Sequence, residues 1–369
     1  MDIVIPSELR PRDGRFASGP SKVRPEAVAA LAAAASGFLG TSHRADPVRA
    51  LVARARSALI ELFSLPDGYE VVFGVGGTTV LWDALVCGFI ERRSQHFVFG
   101  EFSRKFAEAV ALAPYLSDPA LIESAPGTHP EFRAEDEVDT FALTHNETST
   151  GVAMPVARPA GPGLVAVDAT SAAGGLPVEV EDFDVYYFAP QKCFASDGGL
   201  WVALCSPAAI ERIESLAAAD RYVPPSLNLA FALENSRKDQ TYNTPGLATL
   251  FLFVEQLDWI LANGGLEWAC GRCARSAQII YEWAELSDVA MPFVTDPAQR
   301  SNVVATIDFA DRVDAARLAQ VLRANGIVDT EPYRKLGRNQ IRVALYPAVE
   351  PSDVELLTRS IDFVLSTIT

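Results

Sequence analysis

The chain has 369 residues, enough for two domains, and its 49% hydrophobic and 21% charged residues describe a compact globular protein rather than a disordered one. A net charge of −16 argues against a nucleic-acid partner or an anionic membrane surface. Any cationic pocket for an anionic substrate must therefore be local.

The N-terminal stretch MDIVIPSELRPRDGRF has no apolar core of signal-peptide length. The alanine-rich AVAALAAAASGFLG is too short to span a bilayer, and the five cysteines form no disulfide-like framework, so a cytoplasmic location is expected. From about residue 47, PVRALVARARSALIELFSL has helical periodicity and leads into a strand, YEVVFG, then glycines and a second helix. Short apolar strands recur at HFVFG, TFALTH, LVAVDAT, VYYFAP and LWVALCS, with helical pieces between several of them. That alternation predicts a largely parallel α/β sheet, with the last two strands able to pair antiparallel across a Gly-containing loop. A long helix near residues 246–262 is followed by NVVATIDFA, a helix at DAARLAQVLRANG, QIRVALYP and a final helix, a smaller α+β pattern. The expected divisions are an N-terminal segment (1–15) packing with the small domain, a large domain (16–255) and a small C-terminal domain (256–369).

Cys270 and Cys273 stand in CxxC spacing within WACGRCARSAQ, but no second CxxC or paired histidine follows and the segment reads as helix. They are expected to be incidental helix cysteines, and no metal site is expected.

Open α/β sheets bind ligands beyond the carboxyl ends of their strands, so the polar residues at those exits carry the functional information. After YEVVFG, Gly76 and Gly77 let the backbone approach a ligand, and the helix starting at Thr78-Thr79 offers free N–H groups to a phosphate. The loop is neither a Walker loop nor a complete GxGxxG, and a tight turn without a ligand explains it equally well. TFALTH runs into His145-Asn146-Glu147-Thr148, which also reads as a local Asx or Thr turn. Asp168 ends the strand LVAVD, where an acid serves a metal, a ribose or a protonated ring nitrogen, or caps a helix; no second carboxylate or histidine is near enough in sequence for a metal. Gln191 and Lys192 follow VYYFAP. An isolated lysine there would be a loop cation, but a desolvated amine is a nucleophile. An acid and a lysine on separate strand exits, with a phosphate cup upstream, are what pyridoxal phosphate requires: an amine for the Schiff base and a carboxylate to hold the pyridine nitrogen protonated. Phe102, after HFVFG, is the candidate for stacking on the ring.

The ordered motifs SGPSKVRPEAV, GTSHR, GVGGTT, THNETSTG, VDATSAAGG, APQKCFASDGG, YNTP and IRVALYPAVE run nearly end to end. Through them the chain resembles the phosphoserine aminotransferase family, within the class-V, fold type I pyridoxal-phosphate enzymes, and most closely its actinobacterial branch. The resemblance implies a mainly parallel seven-stranded-type sheet between helices plus a smaller α+β domain. It implies that Gly77 and Thr78 bind the cofactor phosphate with Gln191, that Phe102 stacks on the ring, that Thr148 contacts the phenolic oxygen, and that Asp168 pairs with the ring nitrogen. By the same resemblance, Lys192 is expected to be the Schiff-base lysine and the base. Asn243 and Thr244 are expected to reach into the neighbouring subunit's site, which implies a homodimer with shared active sites. Arg44 and Arg342 are expected to hold substrate carboxylate, with His43 beside the site. Three departures stand out. Thr78 replaces an arginine of many relatives, Phe102 replaces a tryptophan, and no His-Arg pair for the substrate phosphate aligns. Instead PYRKLGRN offers Tyr333, Arg334, Lys335 and Arg338, of which Arg334 joins the expected substrate-binding set.

The reaction implied is L-glutamate plus 3-phosphohydroxypyruvate giving 2-oxoglutarate and O-phospho-L-serine, in serine biosynthesis, with the 4-phosphohydroxythreonine step of vitamin B6 synthesis open beside it. The nearest alternatives are alanine– or serine–glyoxylate transamination and a non-catalytic binding protein on the same fold, which would require loss of Lys192, Asp168 or Arg342. Cys193 directly after the lysine, with no separate mobile-loop cysteine, disfavours a cysteine desulfurase, and the incomplete glycine fingerprint disfavours a nicotinamide dehydrogenase.

Overall fold

The computed structural model describes residues 3–368; Met1, Asp2 and Thr369, the ends of the expected first and last divisions, lie outside the described residues. Two helices, α1 (Pro25–Phe38) and α2 (Asp46–Leu62), precede the sheet. On α2, Val48, Val52, Ala55, Leu59 and Leu62 recur every three or four residues and are all buried, which is the spacing that puts one stripe of a helix against a core. Then follow β1 (Glu70–Val75), α3 (Thr78–Gly88), β2 (Ser94–Val98), α4 (Glu101–Ala111), β3 (Ala120–Glu123) and β4 (Thr140–Thr144). A two-stranded ribbon, β5 (Asn146–Glu147) and β6 (Val152–Ala153), leads to β7 (Leu164–Asp168), β8 (Val185–Phe188) and β9 (Leu200–Cys205).

Seven strands form one sheet in the order β1-β9-β8-β7-β4-β2-β3. Pairs β8/β7, β7/β4, β4/β2 and β2/β3 are parallel. Strand β9 runs antiparallel to both β8 and β1, and the two reversals turn β1 back to the direction of β8. Successive side chains of each strand enter opposite cores. Phe141 and Leu143, Val165 and Val167, and Tyr186 and Phe188 face the core that α2 joins. Ala142, Ala166, Val185 and Tyr187 face the other, with α3 residues Leu81 and Leu85. Both faces are covered, so these strands read as unbroken apolar runs rather than alternating ones.

Beyond the sheet come α5 (Pro207–Ala217), α6 (Leu229–Ser236), α7 (Leu247–Ala262) and α8 (Gly265–Leu286). The expected division at residues 255 and 256 falls inside α7, where Leu250, Phe253, Leu257 and Ile260 join a single core on both sides of it. The chain continues through β10 (Ala290–Pro292), β11 (Val304–Phe309), α9 (Ala315–Ala324), β12 (Gln340–Ala344) and α10 (Pro351–Ile368). Strands β10, β11 and β12 make an antiparallel sheet over a third core, which Ile5 of the N-terminal segment and Phe16, the first residue of the expected large domain, also enter. No helix of the described residues is long and apolar enough to cross a membrane.

One glycine shows how tightly the edge of the large sheet is packed. Gly74 of β1 lies opposite Trp201 of β9, and a Cβ at Gly74 would overlap the indole. Replacing Gly74 with Ala should therefore lower stability by about 1–3 kcal/mol through overpacking. Urea unfolding midpoints measure this, and an unchanged midpoint would contradict the packing.

Candidate active site

The exits of β1, β2, β4, β7 and β8 lie along one edge of the large sheet, because all five strands run the same way. Between them is a cavity of about 350 Å³ lined by Gly77, Thr78, Phe102, Thr148, Asp168, Gln191 and Lys192, seven of the expected site residues, joined by Trp82, Asn146 and Thr170. A larger hollow of about 570 Å³, lined by Glu61, Glu179, Glu181 and Glu267, contains none of them.

Asp168 is buried at the end of β7. Its Oδ2 accepts from Trp82 Nε1 at 3.1 Å, and its Oδ1 accepts from the Thr170 N–H at 2.9 Å and the Thr170 hydroxyl at 2.5 Å. Burial pushes the carboxyl up to about 6, against the opposing pull of these hydrogen bonds. Lys192 is displaced the other way, down to about 8, by burial first and then by the charge of Arg342. Its Nζ donates to the Ser18 carbonyl at 2.5 Å. Around it the N-terminal segment is fastened by Ser21, whose N–H donates to the Gln191 carbonyl at 2.8 Å and whose hydroxyl donates to the Lys192 carbonyl at 2.6 Å. Gly19 crosses directly over the lysine at φ +147°, where a Cβ would overlap Nζ, so only glycine fits there.

Two helix N-termini point at this edge, and they differ. At the start of α4, the buried Glu147 carboxylate accepts the N–H groups of Phe102 and Ser103 at 3.1 and 3.0 Å, and the Ser149 hydroxyl takes that of Glu101 at 3.1 Å. At the start of α3, no side chain caps the helix, and the space around the Gly77 α-carbon is open. Only α3 leaves its first N–H groups to a ligand. Nearby, Gln191 Oε1 and Asn146 Oδ1 are buried without a partner among the described residues. A phosphate cup, unpaired acceptors, a buried acid and a buried amine in one cavity fit pyridoxal phosphate.

Arg342, on β12, reaches the site from the small sheet. Its Nη1 donates to the Thr148 carbonyl at 3.1 Å, its guanidinium lies 5.4 Å from the Tyr333 ring centre, and its Nε is buried and unpartnered. Burial lowers its pKa, which suits a cation awaiting an anion. Tyr333 in turn stands 6.1 Å from the Phe102 ring. The remaining cations of PYRKLGRN are not equivalent. Lys335 pairs with Glu101, and Arg338 pairs with Asp308 while covering Phe293. Arg334 is exposed and has no carboxylate partner among the described residues.

His43, Arg44, Asn243 and Thr244 do not line this cavity. Thr244 instead bonds His43 Nδ1 at 3.1 Å, with Asn243, Thr244 and Arg44 all exposed. Cys270 and Cys273 are free thiols on α8, and no group able to hold a metal occurs among the described residues. Trp82, Thr170, Ser171 and the Ser18–Ser21 segment were not singled out by sequence reasoning. Thr170, two residues after Asp168 in VDATS, carried a usable local signal; Trp82 did not, because an indole four residues into a helix reads as core.

The shifted lysine gives a pH test. Between pH 8 and 10.5 the folded, cofactor-free chain carries less of a proton on Lys192 than the unfolded chain, whose lysine has its ordinary value. Stability must then rise with pH across that window. Relative to Lys192→Met, the wild type should gain up to about 3 kcal/mol from the lower to the upper end. Denaturant melts of both cofactor-free proteins across the window check this, and a constant difference would rule out the shift.

Residues 131–357 match the class-V aminotransferase family. A phosphoserine aminotransferase of Nocardioides sp. is 61% identical over 367 residues, covering 98% of each chain. The fold is shared with a phosphoserine aminotransferase of Cytophaga hutchinsonii, at a TM-score of 0.87 and 24% identity over 95% of this chain and 99% of that one. A second, from Bacillus circulans subsp. alkalophilus, gives 0.83 at 23% identity over 96% and 99%. The chain is thus a pyridoxal-phosphate-dependent transaminase and belongs to the phosphoserine aminotransferases of the class-V aminotransferase family.

Proposed function

We propose that the chain transfers the amino group of L-glutamate to 3-phosphohydroxypyruvate, giving 2-oxoglutarate and O-phospho-L-serine, in the cytoplasm. The observation that carries this reading is the meeting of Lys192 and Asp168 in one cavity, with Arg342 bonded to the carbonyl of Thr148 on its wall. Pyridoxal phosphate supplies a carbonyl that takes up the amino group and a ring that accepts electrons from the substrate Cα. Asp168, fixed by Trp82 and Thr170, holds a positive charge at the ring nitrogen. The α3 N-terminus with Thr78, and Gln191, would hold the phosphate; Phe102 would stack on the ring, and Thr148 would turn its hydroxyl from Ser171 Oγ to the phenolic oxygen. Lys192 Nζ takes the proton from the glutamate Cα and, in the second half-reaction, delivers a proton to the Cα of the phosphorylated product. Arg342 grips the substrate α-carboxylate through two parallel N–H donors, which sets the angle of the Cα–H bond. Arg334, with no acid to neutralise it, is assigned to the substrate phosphate; Lys335 and Arg338 already have their own carboxylates.

Purified protein should be yellow, bleach with glutamate and recover its colour with 3-phosphohydroxypyruvate, while borohydride should fix the cofactor to Lys192. Labelling of another lysine would remove Lys192 from its role. Colour recovery with glyoxylate but not the phosphorylated keto acid would favour the glyoxylate alternative. In single-turnover measurements, Arg334→Ala should slow the phosphohydroxypyruvate half-reaction on the order of tenfold or more, as expected for loss of a charge-assisted hydrogen bond. The glutamate half-reaction should change little, and equal effects on both would mark Arg334 as an ordinary surface cation.

The exposed Asn243 and Thr244, outside their own chain's cavity, are assigned to the site of a second subunit. Lys192→Ala and Thr244→Glu should each be inactive. After subunit exchange, half of the dimers carry both lesions in one site and none in the other, so activity should return to roughly a quarter of wild type. No recovery after verified exchange would place Thr244 in its own chain's function.

A further inference from the structure

Glu147 has no place in the reaction described above, yet it is a fully buried acid beside the cavity. Its neighbours in sequence, Asn146 and Thr148, turn toward β7: the Asn146 amide and the Thr148 hydroxyl both donate to Ser171 Oγ at 2.8 Å. Glu147 turns the opposite way, into the head of α4. Oε2 accepts from the Phe102 N–H at 3.1 Å, the Ser103 N–H at 3.0 Å and the Ser103 hydroxyl at 3.0 Å. Oε1 accepts from the Ser149 hydroxyl at 2.6 Å and its N–H at 3.3 Å, and lies 3.3 Å from the Phe102 N–H. The two oxygens are saturated with donors, which a carboxylate can accept and a neutral amide cannot accept on both sides. Gly100 preceding the helix is required by this packing, because a Cβ there would overlap Glu147 Cγ and Cδ.

The residue held most directly is Phe102, whose backbone N–H is bonded to the carboxylate and whose ring lines the cavity. Phe102 is otherwise only half buried, touching Tyr333 on one side and the Lys105 ammonium at 5.6 Å. We infer that Glu147 is the positioning residue for Phe102: by tying the first turn of α4 to the turn that carries Thr148, it sets the slot between the Phe102 ring and the remaining cavity wall in which the flat cofactor ring lies. This inference rests on the proposed stacking of Phe102 on that ring.

The test uses holoenzyme and two readouts other than turnover: the visible circular dichroism of the bound cofactor and the rate at which it is lost to a trapping agent. Phe102→Leu comes first. It should weaken the visible signal and speed cofactor loss; no change would overturn the stacking assignment and the inference with it. Glu147→Gln, measured well below its melting temperature, should act in the same direction, with loss faster on the order of tenfold, as for removal of a charge-assisted bond. In the Phe102→Leu background, Glu147→Gln should add little, because the group it positions is gone. Additive effects, or a lower melting temperature with an unchanged spectrum and loss rate, would overturn the positioning role while leaving the stacking intact. Should Glu147→Gln fail to fold, Ser103→Ala removes one donor from the same oxygen; it should shift the spectrum in the same direction, and an unchanged spectrum would overturn the inference.

Discussion

Residues 146–151 form a turn that five separate parts of the molecule hold at once, and the geometry of the cavity depends on it. Asn146 and Thr148 are bonded to Ser171 beyond β7, and Glu147 to the head of α4. The carbonyls of Thr148, Thr150 and Gly151 accept from Arg342, the Thr306 hydroxyl and the Ser301 N–H. The small sheet is thereby stitched to the large one at the point where the cavity needs them both. Gly151 is part of the seam: at φ +72° it sits where a Cβ would press on Thr306 Oγ1 and the Val304 carbonyl. Displacing this turn would move the Thr148 hydroxyl, the Phe102 backbone and the Arg342 guanidinium together, although they lie on three different elements.

The same turn explains why two helix N-termini at one sheet edge have different fates. Helix dipoles favour negative charge at both. At α4 that charge is internal and permanent, so the helix becomes a rigid support. At α3 the first N–H groups are left to a ligand, and the glycines before it keep the approach clear. Under the proposed reading, the phosphate position is selected by closing the competing site as much as by opening the right one.

Most of the large sheet was legible in the sequence because its strands, buried on both faces, are continuous apolar runs with their polar residues at the exits. Strand β3 was not: its four residues, Ala120–Glu123, alternate buried and exposed at the sheet edge and follow a loop. Strand β10 escaped for a related reason, being three residues that end in a proline, which suits an edge and weakens the strand signal. At the site, Lys192, Asp168 and the α3 loop were readable from strand exits alone. Glu147 was not, since Asn-Glu-Thr gives a local turn signal while its real partners are 44 and 45 residues upstream. The basic loop was legible only in part. Residues 334–342 carry four cations, but the acids that pair with two of them, Glu101 and Asp308, are distant in the chain. Spacing reveals how many charges a segment carries; only the fold reveals which of them are already paired.

Asp168 and Lys192 show what those pairings mean for the chemistry. Burial moves the acid up and the amine down, so each is driven toward its neutral form. Trp82 and Thr170 partly restore the carboxylate, and a cationic ring nitrogen would complete that restoration. Lys192 is subject to a second influence, the positive charge of Arg342, which lowers its basicity further. Under the proposed reading, the substrate α-carboxylate neutralises Arg342 and cancels this influence. Lys192 then becomes the stronger base when a Cα proton has to move, while in the cofactor-free chain its lowered value leaves a larger uncharged, nucleophilic fraction than an ordinary lysine has. Under the same reading, one arginine on the small sheet both orients the substrate and sets the basicity of a lysine on the large one.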